Sequence, residues 1–336
     1  MTAGMKAGTI GRVLAVLRRP WVRVGFLVVA VGLAVVAVVS ARDQLRQAVD
    51  QLTVGSLLLA LLLSGAQAWC SLLAWRSIMA DLGSPLRVGP AVTVFGVGQI
   101  GKYVPGGVWN VVATTELAAD HRVPRARSVT AMAVATLVSL VSGCVVGAVA
   151  LVASADGLGP WAWVGWLAPL TVVLLAPPVL NRVVGMGLDV LRQPPPEHTV
   201  TARGMGTAVT WSVAGWAFAG LHVWVLAADL GLERSWKAVA LCVGGYAAAW
   251  VVGFVVVVVP AGAGAREAAL LLALGGSLAH GSVLLTVLVS RVLTTVVDLV
   301  LAGAGLVALR RHRRAHTAAD RGSDAAAPEA GGEAGT

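Results

Sequence analysis

Charge is what this sequence has least of. Only 12% of its residues are Asp, Glu, Lys or Arg, about half the ~25% of a soluble domain, so a water-solvated globular surface is excluded. Cysteine is scarce as well. Cys70, Cys144 and Cys242 lie far apart inside apolar runs, with no CxxC or Cys/His pairing, and read as small core residues rather than redox or zinc ligands. No Walker loop, GxSxG, HExxH or paired acidic metal motif occurs, and no loop is long enough to house a soluble catalytic domain. The expectation is therefore no catalytic residue, no metal, no cofactor and no ATP-driven pump.

What is present is apolar. Hydrophobic residues make up 57% of the chain and the mean hydropathy is +0.83. The net charge of +9 comes from basic residues in short loops and at the termini. Orientation in a membrane and attraction to anionic lipid explain that distribution, and no nucleic-acid partner is implied.

Taken in order, residues 1–21 form a basic leader with Lys6, Arg12, Arg18 and Arg19. The run from about Val22 to Ser40 is long enough to cross a bilayer and reads as a retained span, not a cleaved signal. Residues 41–52 suit a short interfacial helix. Span two, about Val54 to Met79, stops at Gly83. From Val88 to Ala119 comes an apolar Gly-rich arm, the break Lys102-Tyr103-Val104-Pro105-Gly106-Gly107-Val108-Trp109-Asn110, and a second arm ending near Glu116. Pro and paired Gly cannot continue a helix, and in a bilayer such a break must face protein or water. Each arm is only about half to two-thirds of a span, so the segment reads as a re-entrant hairpin, while two full spans would give the same parity of flanking loops.

Span three (about Ser128 to Ala153) follows a basic loop, and Trp161, Trp163 and Trp166 then mark an interface. Span four runs to about Leu180, with a cytoplasmic loop from Asn181 to Gly206. Span five (about Thr207 to Ala228) precedes a second hairpin, Trp236 to about Gly275. Its break is Val259-Pro260-Ala261-Gly262-Ala263-Gly264-Ala265-Arg266-Glu267. Span six (Ser282 to Leu309) ends at a basic anchor, Arg310 to Arg314. The last 20 or so residues cannot bury enough surface to fold. The fold expected is all-α and polytopic, with about six full spans plus two re-entrant broken hairpins, both termini cytoplasmic in the cell membrane.

The halves, about 54–153 and 207–309, echo each other. Placing Pro260 on Pro105 also places Gly253 on Gly98, Gly262 on Gly107 and Trp224 on Trp69. Ala-Asp-Leu-Gly occurs at both 80–83 and 228–231. Counting basic loops sends span two inward and span five outward, so the repeat is inverted and the breaks enter from opposite faces. That is the plan of an alternating-access carrier.

Ionisable groups inside a membrane are costly and mark function by default. The candidates for substrate contact are Lys102, Glu116, Arg266, Glu267, Arg291 and Asp298, with Tyr103 and Asn110 beside the first break. Pro105, Gly106, Gly107, Pro260, Gly262 and Gly264 carry the breaks. Arg266 and Glu267 open the returning arm of the second break, where free amides and a cation suit a phosphate. Blander readings stand beside these. Arg291 and Asp298, seven apart, could be an internal ion pair, Lys102 could snorkel, Tyr103 and Trp109 could anchor at the interface, and His222 could be a satisfied span residue like its polar peers Gln67 and Gln99.

With the two Pro-Gly breaks in place, the second followed by Arg266-Glu267, the chain resembles the lysylphosphatidylglycerol synthase transmembrane region, a flippase-like membrane family. The resemblance covers roughly Val22 to Leu309. It implies transfer of a lipid, such as an aminoacylated phospholipid, from the inner to the outer leaflet, so the expected partners are phospholipids or polyprenyl phosphates and a lipid-modifying enzyme. The soluble aminoacyl-transfer domain of full-length synthases is not in this sequence. Two other readings are a lipid-linked glycosyltransferase using Glu116 and Glu267, and a scaffold acting through the basic tail.

Overall fold

The computed structural model describes residues 49–103, 109–154, 171–190, 198–255 and 264–325. Its α-helices are α1 (Val54–Asp81), α2 (Val88–Ile100), α3 (Trp109–Ala119), α4 (Arg125–Ser154), α5 (Pro177–Val190), α6 (Ala202–Asp229), α7 (Trp236–Val255), α8 (Ala265–Leu274) and α9 (His280–Ala325), with no strand among the described residues. Five of them, α1, α4, α6, α7 and the stretch His280–Arg310 of α9, are long and apolar enough to cross a membrane. Their outward faces carry large apolar side chains, among them Leu62 and Val255 at 71% and 68% exposure, which only lipid solvates well. The protein is an all-α polytopic membrane protein. Span one, residues 41–48 of the interfacial segment, Trp161, Trp163 and Trp166, and the Pro105–Gly107 and Pro260–Gly262 breaks lie outside the described residues.

The centre of the molecule is the antiparallel pair α1 and α6, whose ends are fastened by the same device twice. Thr53 caps α1 through its hydroxyl, which accepts from the Ser56 amide, and Thr201 caps α6 by accepting from the Gly204 amide. Each threonine also reaches the aspartate that ends the other helix. The Thr53 amide and hydroxyl each donate to Asp229 Oδ2 at 3.1 Å, and Thr201 does the same to Asp81 at 2.6 and 2.8 Å. A carboxylate at a helix N-terminus is also favoured by the helix dipole. Beyond each aspartate, Gly83 and Gly231 take positive φ, +81° and +100°. Ser84 N–H then returns to Met79 C=O, and Leu232 N–H to Ala227 C=O, at 2.9 Å. The repeated Ala-Asp-Leu-Gly is thus two copies of one helix stop with left-handed glycine.

The remaining helices pack in matching pairs. α2 lies on α9 as α7 lies on α4, and α3 touches α4 as α8 touches α9. Small residues allow these approaches, the usual means of packing helices in lipid. A Cβ on Gly96 would meet the Leu301 carbonyl oxygen at 2.5 Å, and one on Gly244 the Gly147 carbonyl oxygen at 3.1 Å. The tightest contact to a neighbouring helix's backbone is Gly220 on α6, whose added Cβ would fall 2.2 Å from Val243 Cα. Gly220→Ala is expected to lower the unfolding midpoint in detergent, costing about 1–3 kcal/mol by overpacking. Gly65→Ala, with nothing within 4 Å, is the control and should leave it unmoved.

Three elements depart from expectation. α5 occupies part of the loop expected over Asn181 to Gly206. Pro177 and Pro178 start it, as proline suits a first turn, and Leu180 and Val184, four apart, face the core. Asn181 then ties the segment down through a two-way bond to the Val200 backbone at 3.0 Å. The second hairpin is asymmetric. α7 runs 20 residues, a full crossing length, because no proline interrupts it before Pro260. α9 continues as helix to Ala325, through residues expected to be unable to fold.

Candidate functional site

Both interrupted segments deliver charge to one face of α9. α2 ends in a 3-10 turn, Gly101–Tyr103, held close by α3, since a Cβ on Gly101 would meet the Asn110 amide nitrogen at 2.3 Å. The turn aims Lys102 and Tyr103 at Asp298. Lys102 Nζ lies 2.8 Å from Asp298 Oδ2 and the Tyr103 hydroxyl donates to the same oxygen at 2.5 Å. Thr295, one turn earlier on α9, also reaches the Tyr103 hydroxyl.

The second interruption meets α9 two turns away. Gly264, at φ +87°, adopts a backbone that side-chain-bearing residues rarely take. There it starts α8. Glu267 Oε2 accepts from the Gly264 amide at 2.6 Å, half of a capping box. Its other oxygen, Oε1, lies 3.4 Å from Arg291 Nε. Arg266 turns the other way, onto α7. It donates to the Tyr246 hydroxyl and its guanidinium carbon sits 4.6 Å from the centroid of the Tyr246 ring, a cation–π contact. Tyr246 is buried at 2% exposure, so the arginine rests on a rigid floor.

Arg266, Glu267, Ser290 and Arg291 line a small recess with Leu270 and Val287. Arg266 and Arg291 both lie within electrostatic range of Lys102. The charges do not cancel. Asp298 answers Lys102 and Glu267 answers Arg291, while among the described residues no carboxylate answers Arg266. Three cations against two carboxylates leave one positive charge in excess. A fixed cation at a helix start beside a polar recess is an arrangement whose chemistry suits one anionic group.

The expected residues divide clearly. Lys102, Tyr103, Arg266, Glu267, Arg291 and Asp298 come together, and Gly264 sits at the second break as expected. Arg291 and Asp298 take separate carboxylate and amine partners rather than forming a structural pair of their own. Tyr103 bonds to Asp298. Asn110 stands in the first turn of α3, packed by its backbone against Gly101. Glu116 is outside the group. It is exposed near the end of α3, where Arg125 Nε and Nη2 donate to it at 2.9 and 2.8 Å. Those bonds hold its carboxyl below the usual carboxylate range. Tyr246 and Ser290 were not expected. A signal for Tyr246 existed, because the chain has only two tyrosines and both touch the charged group.

Among the described residues no cluster of His, Cys, Asp and Glu could hold a metal ion. A comparison with curated proteins found no match. A comparison with family models matched the membrane region. Residues 22–302 fit the model of the lysylphosphatidylglycerol synthase TM region, and with most of its length so matched the chain belongs to that family.

Proposed function

We propose that this protein moves a phosphate-bearing lipid between membrane leaflets, with the headgroup seated on Arg266 and the acyl or prenyl tails left in the bilayer. The observation that carries this reading is the uncompensated positive charge of Arg266 beside a polar recess. A headgroup must be shielded from hydrocarbon while its tails are not, and a charged recess between interrupted helices does both. The matched packing of the two halves and the reciprocal Thr–Asp fastenings support an inverted repeat, with breaks opening toward opposite faces. On this reading the protein sits in the cell membrane with cytoplasmic termini, and a lipid-modifying enzyme supplies its cargo. Glycosyl transfer finds less support, because both of its proposed carboxylates, Glu116 and Glu267, are occupied by arginines.

The test is a leaflet-resolved assay in reconstituted vesicles, run with phosphatidylglycerol, its aminoacylated form and a polyprenyl phosphate. At least one is expected to cross faster than in protein-free vesicles. Equal rates for all three would overturn the proposal.

A further inference from the structure

Behind Arg266 stands a buried group that the anion seat does not itself require. His222, on α6, is 1% exposed. Its Nε2 lies 2.8 Å from Ser290 Oγ on α9, and Ser290 lines the recess. The ring stands edge-on to Tyr246 with centroids 5.0 Å apart, so one tyrosine supports both the histidine and Arg266. The other nitrogen, Nδ1, is buried with no well-formed hydrogen bond. The carbonyls of Phe218 and Ala219, one turn back on α6, lie within its reach. The ionisable groups on the elements around it are Lys237, Cys242 and Tyr246 on α7, Arg266 and Glu267 on α8, and His280, Arg291, Asp298 and the charged end from Arg310 on α9. α1 and α4 add only Cys70 and Cys144, apart from Arg76, Asp81, Arg125 and Arg127 near their ends.

An imidazolium at His222 would be buried within electrostatic range of the like charge of Arg266. A phosphate on Arg266 supplies a negative charge. We infer that His222 is a proton-binding site coupled to the Arg266 seat, so that a phosphate-bearing headgroup and one proton bind together. The inference rests on Arg266 being that seat. The transfer balances without any further reactant. Neutral His222 keeps its hydrogen on Nδ1, facing the backbone carbonyls, and accepts from Ser290 Oγ–H at Nε2. A hydronium ion from bulk solvent gives its extra proton to Ser290 Oγ as the hydroxyl passes its own to Nε2, so that water is left behind and the serine is unchanged. Lipid then crosses with a proton, and affinity rises as pH falls.

The experiment is calorimetric titration of the full chain, in detergent, with dihexanoyl phosphatidylglycerol in two buffers of different ionisation enthalpy. Wild type is expected to take up protons on binding, with affinity changing by up to about tenfold per pH unit, the limit for one linked proton. His222→Gln should still bind, with no proton uptake and a flat pH profile. Ser290→Ala should keep the uptake, because the hydroxyl relays the proton and does not store it. Should His222→Gln fail to fold, the nitrogen resonances of His222 in wild type decide. Conversion to imidazolium on lipid addition supports the coupling, and a neutral ring in both states overturns it. Binding that is lost in Arg266→Ala yet gives equal heats in both buffers sinks the coupling alone. No lipid binding, or unchanged binding in Arg266→Ala, sinks the seat and the coupling together.

Discussion

Arg266→Ala is expected to reduce binding of a phosphate lipid about 10- to 100-fold while the protein stays folded. The magnitude follows from losing a charge-assisted hydrogen bond, about 1.5–3 kcal/mol. Stability should hold because Arg266 contributes no cap or carboxylate pair. α8 is started by Gly264 and Glu267, and the arginine rests only on Tyr246. Arg266→Lys should recover part of the affinity, since an ammonium is a point charge without the planar fork that holds two phosphate oxygens. Lipid binding by titration and the unfolding midpoint are read on the same preparation. Wild-type affinity in Arg266→Ala would remove the role assigned to this residue, and a collapsed midpoint would make it structural.

Asp298→Ala is expected to be the more damaging change to the fold. Its side chain is 12% exposed and holds both Lys102 and Tyr103, the ionic link from the first break to the charged face of α9. Removing it strands an ammonium and a phenol together. Breaking a buried pair costs about 3–5 kcal/mol, and Lys102, a third exposed, keeps the figure near the lower end. The double variant Lys102→Met with Asp298→Leu should regain most of that loss, because replacing both partners with apolar groups is often neutral. Thermal unfolding of the three proteins checks this. A single variant as stable as wild type would mean the pair holds nothing, and an unrescued double variant would mean packing, not charge, was lost.

How far the sequence carried depended on whether a feature was local. Gly83 as a helix stop, α2 and α3 as short arms, and Arg266 with Glu267 at the start of a helix were all readable, because proline, glycine and a following Glu act within one turn. Partnerships across the fold were not. That Asp298 would answer Lys102 and Arg291 would answer Glu267 depends on α2 and α8 both landing on α9, and spacing along α9 alone relates only Arg291 to Asp298. Glu116 was grouped with the site because it ends a hairpin arm, yet that end is exposed and Arg125 follows within one loop. Segment α5 was hidden because a short helix with an arginine and two glycines resembles a loop until Leu180 and Val184 find the core. Tyr246 was legible only by counting tyrosines, since nothing in α7 itself distinguishes it from its apolar neighbours.

The central claim is that the charged face of α9 opens to water, so that a headgroup can reach Arg266. The most direct measurement places one thiol at Ser290, as S290C, in a chain whose Cys70, Cys144 and Cys242 are replaced, and exposes it in sealed vesicles to a charged, membrane-impermeant thiosulfonate. The account predicts modification, slowed by added phosphate lipid. An S290C thiol that stays unmodified from both sides, with and without lipid, would contradict it.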